Sequence, residues 1–309
     1  MPAHLKAALA CILKYNTQMS TTHSLEDLKH YHNEAIQFFG SELILLKEVV
    51  PKIVNERLAE AAVLLMSCGQ TGAALLILAN QTEIFSSASV ILARAFMEGM
   101  TNFCYVSICD EKEYRAFVLH PIYKYFHSVA DPKIEDDFDF DLIAGIVEAK
   151  KEKQRKLNEI PIVQEALTIF SETNSHLNWT KKTLDQRIAT LAKWGKFLDF
   201  IFSINKYQYY SDASEILHGS LYGCTYNVGV FDPDFDHTNK EELHKKIYKD
   251  STCVLLHLGM LIHESFTLIS YKDDITEQWK YSYNNRNNAL NLLFHVLEKK
   301  PSKLKKNKP

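Results

Sequence analysis

The chain has 309 residues, with 35 Lys and Arg against 38 Asp and Glu, 46% apolar and 24% charged residues. That balance excludes wholesale disorder and collagen-like or coiled-coil repeats. Ten glycines and eight prolines are too few for a turn-dense β-sandwich or barrel, so the expected class is all-α, a multi-helix bundle.

The last eleven residues, 299–309, hold six Lys and no acid, and the rest carries 29 basic against 38 acidic residues, a net charge of −9. An acidic body lacks the phosphate-neutralising surface of a duplex-binding protein, and 299–309 reads as a flexible, solubilising tail. The six cysteines form no CxxC pair and sit mostly in apolar helical surroundings. They read as reduced core thiols of a cytoplasmic protein rather than a disulfide framework or zinc site. The opening MPAHLKAALACILKYN lacks the long apolar run and cleavage site of a secretory signal.

In chain order, a short first helix precedes Ser24, which with Asp27 opens a long amphipathic helix up to about residue 50. Pro51 marks the next helix start. From Ala61 to Ala79 about 19 residues carry no charge, close to spanning length. The interruption SCGQTG, with Gly69 and Gly72, instead predicts the corner of a buried helical hairpin, and no membrane association is expected. A long apolar helix follows over about 86–108 and another over 111–130. DPKIEDDFDFD is an acidic break, and AKKEKQRK after it is a solvated face. Further helices are expected at 161–174, 183–203, 205–221, 241–270 and 275–298, with CTYNVGVFDPDFDHTN as a surface loop. No stretch has linker composition, so 1–298 reads as a single helical domain with its core at about 50–270.

Two segments carry polar residues in apolar company. In VILARAFMEGMTNFCYV, Arg94, Glu98, Thr101 and Asn102 fall at offsets 0, 4, 7 and 8, one stripe of an otherwise buried helix. Burial of Arg and Glu requires pairing, hydrogen bonding or a solvent-filled cavity, so this buried polar seam is either a structural ion pair or a ligand or catalytic site. In NKYQYYSDASEILHGSLYG, Tyr207, Tyr210, Ser211, Ser214, Glu215 and His218 occupy neighbouring turns, the pattern of one wall of a pocket. The candidate catalytic set is Arg94, Glu98 and His218, with Asn102, Tyr210 and Ser214 as binding residues. No metal or other cofactor is implied.

LARAFMEGMTNFCYV and YYSDASEILHGS together resemble the two signature segments of the bacterial helical domain-of-unknown-function family numbered 5677, over roughly residues 50–270. The resemblance implies an all-α bacterial protein with its site at the seam and names no reaction. More distantly the chain resembles the HEPN helical ribonucleases, which implies a metal-independent endoribonuclease acting in phage defence or as a toxin with its antitoxin. There His218 would move the proton of the 2′-hydroxyl and Arg94 would stabilise phosphate charge. The superfamily's Arg-then-His spacing also occurs at Arg115 and His120, followed at once by Pro121. Two alternatives stand beside the nuclease: a non-catalytic sensor or interaction module binding a small ligand or protein, and a di-metal carboxylate bundle using the Glu-x-x-His elements Glu215/His218 and Glu241/His244 with Glu98. His257 and His263 sit on another apolar helix and read as core or boundary histidines. RNA, a protein encoded in the same operon and a second copy of the chain are the expected partners.

Overall fold

The computed structural model describes residues 23–81, 87–130, 152–153, 155–171, 178–218 and 240–297. Every extended element among them is helical and no strand occurs there, which gives the all-α bundle the composition implies. The acidic break after Ala130, the loop after Ser220, Cys11, Cys224 and the Lys-rich tail lie outside the described residues.

The chain forms two compact units, one from Met1–Ser107 with Arg187–Pro309 and one from Ile108–Gln186. This differs from the single domain that the composition suggests, because the second unit carries its own apolar contacts. The core also extends beyond 50–270. Helices on both sides of that range supply buried Leu28, Phe39, Leu46, Leu293 and Val296.

In the larger unit, α1 (Leu25–Val49) opens as expected. The Ser24 hydroxyl accepts from the Asp27 N–H at 3.1 Å and Asp27 accepts from the Ser24 N–H at 3.1 Å, a reciprocal cap. Its stripe Leu28, His32, Ala35, Phe39, Glu42, Leu46 and Val49 is buried and packs chiefly along α9 (Lys240–Ile269). Pro51 falls in a short 3₁₀ turn, and α2 (Glu56–Ala79) starts on Asn55, whose side chain accepts from the Leu58 N–H at 3.2 Å.

The expected hairpin corner at Gly69 and Gly72 is absent: α2 runs through both. Gly72 serves close approach instead. A Cβ there would come within 2.6 Å of Leu43 on α1 and 3.2 Å of Phe96 on α3 (Ser87–Ile108), and one on Gly99 within 2.6 Å of the Cys68 sulfur. Missing side chains thus let three helices meet.

Two stretches, α2 and His244–Ile269 in α9, are long and apolar enough to cross a membrane by length and composition. The α9 stretch is 94% buried and is the core of the unit, whereas α2 is 33% buried over its stretch and leaves Val63, Met66 and Ile77 exposed. The helix expected at 183–203 is two helices, α6 (Leu184–Leu191) and α7 (Lys196–Asn205), separated at Gly195. A π-helical turn, Lys206–Tyr210, leads into the short α8 (Ser211–Leu217), and α10 (Thr276–Val296) closes the unit against α1 and α9.

In the smaller unit, α4 (Glu111–Ala130) packs on α5 (Pro161–Ser171) through Ala116, Leu119, Tyr123, Ala166 and Phe170. Pro121 is accommodated inside α4.

Candidate functional site

The structure brings part of the expected seam together. Arg94 and Glu98, one turn apart on α3, pair at 2.8 Å through Nε. The Arg94 guanidinium lies over the ring of Tyr210, 4.2 Å from its centroid, so the last residue of the π-turn reaches α3 as the two sequence segments suggested. A wide turn of this kind displaces the following residues from ordinary helical register and recurs at functional sites.

The seam borders solvent rather than lying within the core. The Arg94 side chain is 17% and that of Glu98 36% exposed, while Phe96, Met97, Met100 and Phe103 on the same helix are fully buried. Thr101 leaves the seam: it is fully buried and donates to the Met97 carbonyl at 2.8 Å.

Arg187 completes the constellation. From α6 it donates through Nη1 to Asn102 Oδ1, within electrostatic reach of Glu98, Tyr210 and Tyr105. Burial pulls its guanidinium below the ordinary arginine value, against the attraction of Glu98. Sequence reading missed it because DQRIATLAK looks like a charged, solvated helix. One signal was present: Leu184, Ile188 and Leu191 form the buried stripe of α6, and a residue immediately before Ile188 stands at the edge of that stripe.

His218 is not joined to this group. It follows Leu217 at the end of α8, where its N–H closes on the Ser214 carbonyl at 3.0 Å, and its side chain is exposed. Ser214 is half-buried and Tyr207 exposed. No contact among the described residues links His218 or Ser214 to Arg94, Glu98 or Asn102.

Arg115 donates to Glu165 through Nε and Nη2 at 2.6 and 2.7 Å, and the His120 ring lies 5.4 Å from that of Phe170. The Arg115 fork is thus engaged by a carboxylate. No group of three or more His, Cys, Asp or Glu among the described residues is placed to hold a metal ion. Glu241 pairs instead with Lys245 at 3.0 Å, so the two Glu-x-x-His elements gain no shared site there.

A second polar cluster, deep in the core, went unnoticed in the sequence. Glu42 and Ser282 are fully buried and His263 nearly so. The Ser282 hydroxyl donates to Glu42 Oε2 at 2.5 Å. The same hydroxyl lies 3.0 Å from His263 Nδ1, so carboxyl, hydroxyl and imidazole form one buried chain. Burial raises the Glu42 carboxyl to about 7 and lowers His263 to about 3. Beside it, Arg286 pairs with buried Glu264 at 3.3 Å and sits 4.6 Å from the centroids of both Phe197 and Tyr283. His257 is also buried and is lowered to about 4. His257 and His263 are core residues, apart from the seam.

No family model matches the chain, and neither a curated protein nor a solved structure matches it.

Proposed function

We propose that the seam of Arg94, Arg187, Asn102 and Tyr210 is a binding site for an anionic group, phosphate or carboxylate, and that the chain works as a helical sensor or interaction module. One observation carries this reading. Arg94 spends its Nε on Glu98 and its face on Tyr210, while its Nη1 is buried with no hydrogen-bond partner among the described residues. A desolvated guanidinium N–H without an acceptor is costly, and an anion oxygen is the acceptor a planar donor fork fits best.

A purely structural role for the pair is the weaker account on magnitude. An i,i+4 ion pair with a half-exposed acid contributes about 0.3–0.5 kcal/mol, and the stack on Tyr210 about 0.5–2 kcal/mol. Loss of both leaves a domain of ordinary stability, about 5–15 kcal/mol, folded. Removing Arg94 therefore abolishes anion binding before it abolishes the fold.

A HEPN-like ribonuclease is the second reading, favoured by the order Tyr210, Ser214, His218, which carries the imidazole two turns along from the ring that meets Arg94. One experiment separates the two. Wild type, Arg94→Gln and His218→Ala, matched by circular dichroism, are titrated with 5′-AMP by calorimetry and incubated with tRNA with and without chelator. The binding module predicts 5′-AMP binding lost in Arg94→Gln, kept in His218→Ala, and no cleavage. Chelator-resistant cleavage lost in His218→Ala would replace it with the nuclease.

A further inference from the structure

A cleft of about 600 Å³ lies between α1 and α10, a size that suits a small organic ligand. Its polar walls are Gln37 on α1 and Asn285, Asn288 and Asn291 on α10, with Tyr31 and Tyr281 contributing rings. Tyr281 is 56% exposed, a large aromatic surface left in water beside amide groups. Glu34 is the acid in the lining, and no Lys or Arg belongs to it among the described residues.

The walls are fixed from behind. Asn285 Nδ2 donates to buried Glu42 at 3.0 Å and to Ser41 at 3.4 Å, and Ser41 donates to the Phe38 carbonyl at 2.7 Å. Because the amide is planar, committing its nitrogen inward leaves Oδ1 on the other edge, where it accepts nothing among the described residues. The Phe38 ring is set against Gly259, where a Cβ would come within 2.4 Å of it. Such a cleft needs little reordering on binding.

The chemistry selects the ligand class. A lining without Lys or Arg, with His295 as its imidazole, gives a phosphate no permanent cation to neutralise its charge, which disfavours nucleotides and nucleic acid. An apolar ligand would strand the amides unpaired. Asn285, Asn288 and Asn291 advance by about 4.5 Å per step along the helix, comparable with the length of one sugar ring, and repeat donor and acceptor pairs along the cleft. We infer that the α1–α10 cleft binds a neutral oligosaccharide, the amides and Glu34 taking its hydroxyls and the tyrosine rings its apolar faces.

This site is independent of the Arg94 seam, so either reading can fail alone. The test uses the full chain and calorimetry with maltotriose, triacetylchitotriose and adenosine as probes. Asn288 and Asn291 are exposed, and the hydrogen-bond partners of Glu42 among the described residues are Ser282 and Asn285, so Asn288→Ala with Asn291→Ala retains the melting temperature. The expected result is binding of at least one trisaccharide, weakened about tenfold or more in the double variant, with adenosine inert. Absence of binding by both trisaccharides at millimolar concentration, equal binding to the double variant, or binding of adenosine alone would each overturn the proposal.

Discussion

Arg94 was legible as a paired residue because a Glu four positions later on an apolar helix has few other uses. Arg187 was not, because its role arises where α6 meets α3, a tertiary fact that a nine-residue charged segment does not encode. Glu42 illustrates the same limit. In SELILLKEVV an acid among aliphatic residues suggests an ordinary solvated position, yet its partners Ser282 and Asn285 come from the far end of the chain.

The buried Glu42 gives a pH prediction. Its carboxyl holds a proton more tightly in the folded than in the unfolded chain, about 7 against the ordinary 4.5. Between those values the unfolded state loses its proton first, so this group's contribution to stability falls as pH rises. Glu264, also raised to about 7, acts in the same sense. His263 and His257, lowered to about 3 and 4, act oppositely, with stability present above 6.5 and lost as pH falls toward those values. Glu42→Gln removes one proton linkage and keeps the neutral hydrogen-bonding shape. We expect it to gain on wild type by roughly 1–3 kcal/mol between pH 4.5 and 8, read from urea unfolding at each pH. A difference that stays constant with pH would contradict the buried carboxyl.

Among the elements, helices with a clear apolar period were legible almost to the residue. The expected 86–108, 111–130 and 241–270 are Ser87–Ile108, Glu111–Ala130 and Lys240–Ile269. The failures share a cause: glycine was read by local propensity alone. At Gly195 the chain breaks within the helix expected over 183–203, while Gly69 and Gly72, where a corner is expected, lie inside α2. Tertiary close approach decides the second case. Gly72→Val and Gly99→Val should therefore each destabilise by about 1–3 kcal/mol through overpacking. Gly40→Ala, whose added Cβ would sit 3.8 Å from Leu76, should be neutral or stabilise by up to about 1 kcal/mol. Thermal unfolding of the three variants checks this, and an equal loss in all three would remove the close-approach account.

The thiols make a second test at this scale. Cys68 and Cys104 lie where α2 meets α3, and burial pushes Cys68 to about 12 and Cys104 well above the ordinary thiol value. The folded protein should leave both unmodified by iodoacetamide at pH 8, with labelling appearing only in denaturant. Mass spectrometry of the labelled peptides reads this directly, and rapid labelling of either in the native state would contradict the packing of α2 on α3.

For the whole molecule, the all-α class followed from scarce glycine and proline and pervasive helical periodicity. The division into two units did not, because the boundaries at Ile108 and Gln186 fall within or beside helices rather than in a Gly, Ser or Pro-rich linker. The larger unit holds both candidate sites and the smaller one neither. Anion binding should thus map to the larger unit, with Arg115→Ala in the smaller unit binding as wild type does.

In the proposed function Arg94 is a receptor for an anion rather than a strut. The most direct measurement is the melting temperature of wild type, Arg94→Gln and Glu98→Gln as phosphate is raised at constant ionic strength. A ligand that binds only the folded state raises the midpoint with concentration. A saturating rise is expected in wild type, none in Arg94→Gln, and a retained rise in Glu98→Gln, which removes the competing carboxylate charge. A midpoint that ignores phosphate in wild type, with equal losses of stability in the two variants, would contradict it and leave the pair structural.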